Sequence, residues 1–129
     1  MKKLISYLPA LGVLAVLLAF ALWVSASMQE KTTLWQEQLL QADALAQSDD
    51  WTGAMEVLME SYQDWDSHQT YLHIVTEHDA VDDAQSMYHR AMAFAATREL
   101  SEFRAELSDL RDQLRLLAEM ERFSIKNVL

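Results

Sequence analysis

The chain has 129 residues, with twenty acidic against ten basic side chains, no cysteine, two glycines and one proline. The lack of cysteine excludes disulfides, thiolate chemistry, cysteine metal sites and a lipoprotein anchor, so any exported domain must be held by apolar packing. A formal charge of −10 opposes binding to nucleic acid or to an anionic surface and favours basic partners or divalent cations.

That charge is unevenly laid out. Leu4 to Gln29 carry no charged side chain, Lys2 and Lys3 precede them, and every acid follows. As a helix, Leu4 to Ala26 would measure roughly 35 Å at about 1.5 Å per residue, enough to cross a hydrocarbon core of about 30 Å with some tilt. Tyr7 and Trp23 fall near the two headgroup regions, where amphipathic rings prefer to sit. Pro9 lies in the first turns, where a missing donor costs least, and Gly12 is tolerated in lipid. Cytoplasmic flanks retain Lys and Arg. After Lys31 neither occurs until Arg90, while twelve acids lie between Glu37 and Asp83.

Residues 1–28 are therefore expected to form a transmembrane anchor, contacting cytoplasmic membrane lipid through residues 4–26, with the N-terminus inside. Residues 29–129 are expected to form an extracytoplasmic acidic helical domain. A cleaved secretory signal is the rival, because Val24-Ser25-Ala26 offers small residues for cleavage before Ser27. The apolar run, however, exceeds the usual signal core of about 7–15 residues. Beyond the anchor about 100 residues remain, the size of one domain with a modest core.

Leu34, Trp35, Leu39, Ala42, Leu45 and Ala46 recur in three- and four-residue steps, a helical stripe. Nothing between Trp23 and Gln47 breaks a helix, so the anchor is expected to run on into the domain as one stalk. Ser48-Asp49-Asp50 ends that pattern and supplies N-cap oxygens for a second helix. This helix places Trp51, Ala54, Met55, Leu58, Tyr62 and Trp65 on one face and extends toward Leu72 and Val75, with Gly53 allowing close approach of a neighbour. Asp79 is the expected N-cap of a third helix with Val81, Ala84, Met87, Tyr88, Ala91, Phe94 and Ala95 inward. Thr97 caps a fourth, whose seam of Leu100, Phe103, Leu107, Leu110, Leu114 and Leu117 has bundle-core spacing. The tail Phe123 to Leu129, apolar at alternate places, is expected to fold back on the bundle or to present a free carboxylate to a strand-adding partner.

A shift of 49 residues lays Ala46 on Ala95, Ser48 on Thr97, Asp50 on Glu99, Leu58 on Leu107 and Trp65 on Leu114. Both halves read helix, polar turn, helix, as two stacked αα-hairpins would. The predicted fold is all-α: an N-terminal transmembrane helix followed by an antiparallel four-helix bundle of two αα-hairpins.

The order Asp50-Trp51, Trp65, His78-Asp79-Ala80-Val81-Asp82, the leucine stripe and the closing Glu121-Arg122-Phe123-Ser124-Ile125-Lys126-Asn127-Val128-Leu129 resembles the bacterial family known as domain of unknown function 4363. The resemblance spans nearly the whole chain. It implies a membrane-anchored helical protein of bacterial origin and carries no assigned activity.

No residue is assigned as catalytic, cofactor-binding or metal-binding. His78 and Asp82, four apart, share a helix face, and Asp79 or Asp83 could join them around a divalent metal, but the grouping reads first as a polar helix start. His68 and His73 diverge, and His89 reads as a surface residue. Scattered acids carry no general acid/base signal, and no phosphate loop, nucleophile elbow or zinc-protease motif occurs. Trp35, Trp51 and Trp65 fit core stripes, and the methionines read as gap fillers.

The expectation is a non-enzymatic, membrane-tethered interaction or scaffolding module whose partner is another envelope protein. The alternative is an extracytoplasmic ligand-sensing domain that signals through a partner. A pilin-like subunit ranks third, since the acid that would follow a processing site is missing from the apolar run.

Overall fold

The computed structural model describes residues 2–128. These form α1 (Lys2–Gln47), α2 (Trp51–Asp66), α3 (Gln69–Val75), α4 (His78–Ala96) and α5 (Leu100–Val128), with no strand among the described residues.

The 46-residue α1 runs unbroken through the apolar stretch and into the bundle, as the lack of helix breakers after Trp23 predicts. Pro9 lies about two turns into α1, past the opening amides that lack a helical partner. The local cost is one lost backbone bond. From Ile5 to Trp23 the side chains are largely exposed; burial starts at Met28 and continues through Trp35, Leu39, Ala42 and Ala46. One helix thus has two environments, an apolar half whose described side chains are mostly exposed and a half that builds the core.

Four helical legs close a ring: α1 packs on α2 and α5, and α4 packs on α2 and α5. Each neighbouring pair is antiparallel. Trp35 reaches Asp64 across α1 and α2, Ser61 reaches Tyr88 across α2 and α4, Arg90 reaches Glu106 across α4 and α5, and Asp43 reaches Arg104 across α1 and α5. The inner stripes alternate large and small side chains. Trp51 meets Phe103 edge-on at 5.4 Å, Trp65 meets Tyr88 at 5.3 Å, and Ala42, Ala54, Ala84 and Ala91 fill the gaps. On α5, Phe103, Leu107, Leu110, Leu114 and Leu117 are buried as the seam predicts, whereas Leu100, at the helix start, is 39% exposed.

The two hairpin turns share their closing backbone bonds at the predicted shift of 49. Asp49 N–H donates to Ala46 and Asp50 N–H to Leu45; Arg98 N–H donates to Ala95 and Glu99 N–H to Phe94. These are Schellman closures, with Asp49 (φ 63°) and Arg98 (φ 57°) in the left-handed region usually given to glycine. Asp50 then caps α2, accepting from Gly53 N–H at 2.9 Å. The reason for Gly53 is this cap rather than a neighbouring helix, because a Cβ there would lie 2.5 Å from Asp50 Oδ2.

Four further expectations are corrected. The second leg does not run through to Val75: Ser67 Oγ donates to Asp64 O, His68 Nδ1 lies 2.8 Å from the same oxygen, and the chain turns before α3. Asp79 is not the cap of α4; the helix begins at His78 after an extended Glu77, and Asp79 lies in its first turn. Thr97 closes α4 rather than opening α5, its hydroxyl returning to Ala93 and also reaching Glu99 Oε2. The tail does not fold back, because α5 continues helical to Val128 and leaves Phe123 67% exposed. Leu129, its last residue, lies outside the described residues.

Candidate functional site

Two polar groupings gather at the end of the bundle where α1 leaves it. The first is centred on Glu121, which occupies the α5 seam position four residues after Leu117 and is 1% exposed. Its Oε1 accepts from Tyr71 Oη of α3 at 2.8 Å; its Oε2 accepts from Ser25 Oγ and Gln29 Nε2 of α1 at 3.2 and 3.3 Å. A buried carboxylate is tolerable only when its oxygens are occupied in this way. Burial pushes the Tyr71 phenol above its ordinary value, and the bond to Glu121 and its charge push it further. One acidic side chain therefore ties three helices together at the mouth of the bundle. Sequence reading placed Glu121 in the tail; the signal was its place on the leucine seam.

The second grouping lies where α3 gives way to α4. His78 Nε2 lies 3.3 Å from Asp82 Oδ2, as their spacing predicts. Asp79 and Asp83 do not join them. The third member is His73 of α3, whose ring centroid is 4.5 Å from that of His78 because the chain reverses through extended Thr76 and Glu77. His73, His78 and Asp82 each offer one ligand atom, all within 4.8 Å of one another. His73 Nδ1 is shielded from solvent without a hydrogen-bond partner among the described residues, a state that costs about 1–3 kcal/mol.

His68 diverges from His73, as expected, and packs edge-on against Trp35 at 5.5 Å. His89 is at the surface, 3.2 Å from Tyr62 Oη. Trp35, Trp51 and Trp65 are buried in the core. Trp35 Nε1 donates to Asp64 at 2.7 Å and Trp51 Nε1 to Asp49 at 3.0 Å, while Trp65 Nε1 has no partner among the described residues. A shallow groove beside the histidines is lined by Val75, Thr76, Met120 and Phe123 and opens to the surface.

The fold and these groupings define an all-helical bundle built on an apolar helix long enough to cross a membrane. Residues 22–128 match the family model described as a domain of unknown function, DUF4363, and the chain belongs to that family. No curated protein matches the chain, and no solved structure does.

Proposed function

We propose that the protein is a single-pass, membrane-tethered scaffold: α1 crosses the cytoplasmic membrane with Lys2 and Lys3 inside, and the acidic bundle stands outside and engages another envelope protein without catalysing a reaction. The observation that carries this reading is the division of α1. Its apolar span is unburied within the protein, yet the same helix continues into the core. Lipid is the solvent that such a span needs, and the basic start before an acidic body sets the direction.

The antiparallel register adds detail. Since Ser25 meets Glu121, the later turns of α5 run beside the end of the span, and Trp23 and Phe123 are both about two-thirds exposed there. In this reading both rings sit at the outer headgroups, with Lys126 extending toward lipid phosphates. The sensing alternative gains no support from Trp35, Trp51 and Trp65, which are taken up by the core.

The absence of cysteine makes the topology directly testable with single-cysteine variants, Lys3→Cys and Asp109→Cys, and a membrane-impermeant maleimide on intact cells. Asp109→Cys is expected to label before lysis and Lys3→Cys only after it; the reverse pattern overturns the orientation. A photo-crosslinker at exposed Ile74 or Leu116 is expected to yield a discrete adduct with an envelope protein. Its failure at both positions would count against the scaffold.

A further inference from the structure

The grouping on α3 and α4 has the makings of a metal site. Two imidazoles and a carboxylate are the donor set of borderline divalent cations of the zinc type, which hard cations such as calcium and magnesium do not favour. In a tetrahedral zinc site with bonds of about 2.0–2.1 Å, neighbouring ligand atoms stand about 3.3 Å apart. His78 Nε2 and Asp82 Oδ2 already have that separation, 3.3 Å. The His73 ligand atom lies within 4.8 Å of both, so closing the set needs a movement on the order of 1.5 Å at most. The exposed side chains of His78 and Asp82 are free to make it.

Two further observations point the same way. His73 Nδ1 is hidden from water and has no hydrogen-bond partner among the described residues, and the two rings are tilted by 36° with centroids 4.5 Å apart, so rotation of the exposed His78 side chain can turn a nitrogen of each toward a common point. The positive end of α4 opposes a cation, but Glu77, Asp79, Asp82 and Asp83 surround the same turn and outweigh it. We propose that His73, His78 and Asp82 bind one zinc-type divalent cation, which staples α3 to the first turn of α4 and leaves a fourth coordination position open to water or to a donor from a partner. The site goes beyond the scaffold reading and stands whichever side of the membrane the bundle occupies.

The test uses untagged full-length protein in detergent micelles, titrated calorimetrically with zinc and, separately, with calcium. One zinc ion per chain is expected, with affinity weakened at least tenfold in His78→Ala, in Asp82→Asn and in His73→Gln. Asp83→Asn, which removes the same charge one residue away, is expected to bind as the parent does. His78, Asp82 and Asp83 are all exposed, so those three variants leave the core intact. Failure of the parent to bind zinc overturns the proposal. So does equal weakening in Asp83→Asn, which would mean diffuse attraction to acids, or calcium binding as tightly as zinc.

Discussion

Ser61→Ala removes one hydroxyl from the interior of the bundle. Ser61 Oγ and Tyr88 Oη are 2.8 Å apart, and both residues are 0% exposed, so the tyrosine has no route to water once its partner is gone. An orphaned buried hydroxyl costs about 1–3 kcal/mol. For a folded unit of roughly 100 residues, each kcal/mol lowers Tm by about 4–8 °C. Tyr88→Phe should cost less, about 1 kcal/mol, because the serine left behind can turn its hydroxyl to the backbone carbonyl one turn earlier, an option a tyrosine lacks. The double variant Ser61→Ala/Tyr88→Phe removes both polar groups and leaves an apolar contact, so it is expected to be more stable than Ser61→Ala alone. The assay is thermal unfolding in detergent micelles followed by tryptophan fluorescence. Trp35 and Trp65 are buried in the bundle and report its unfolding, whereas the helicity signal also includes the apolar half of α1, which lies outside the core. If the double variant loses as much stability as the two single variants combined, the hydroxyl pair is not the coupled unit described.

Three further outcomes follow from local geometry. Arg98→Gly should raise stability by up to about 1 kcal/mol by relieving a left-handed backbone, whereas Asp49→Gly should gain less, because Asp49 also accepts from Trp51 Nε1; the two denaturant midpoints check this. Gly53→Ala should lose about 1 kcal/mol by displacing the Asp50 cap, and adding it to Asp50→Ala should cost little more, as chemical denaturation of the double variant would show. Burial raises the Tyr88 phenol above the ordinary tyrosine value of about 10 and the Asp64 charge adds to this, while its bond to Ser61 partly offsets them; burial, bond and charge likewise raise Tyr71. Both phenols hold their protons more tightly folded than unfolded. Their contribution is complete below pH 10 and is lost as pH rises beyond it, so Tm should fall above pH 10, less steeply in Tyr71→Phe.

The periodic parts of the molecule were legible because burial follows helical spacing. The α5 seam from Phe103 to Leu117, the three core tryptophans and the Asp50 cap all lie where the pattern puts them. The 49-residue echo extended to the turn hydrogen bonds because the same Schellman closure ends both α1 and α4. The break after Asp66 was not legible, since neither glycine nor proline marks it; side chains of Ser67 and His68 compete for the Asp64 carbonyl instead. His73 joined His78 through a backbone reversal at Thr76 and Glu77 that spacing alone cannot express. Glu121 was misplaced because a buried acid breaks the rule that seam positions are apolar, and only its three donors explain it.

The unbroken course of α1 has a mechanical consequence. No glycine, proline or loop interrupts the helix between Trp23 and Gln47, so nothing can serve as a swivel. From Ser25 to Gln47 the rod is about 33 Å long at about 1.5 Å per residue. With its foot gripped by a bilayer, a tilt of about 10° there would swing the far hairpin turns sideways by roughly 6 Å over that length. The domain would then move as a lever rather than a tethered float, and anything docked at its tip would feel the lean of the foot.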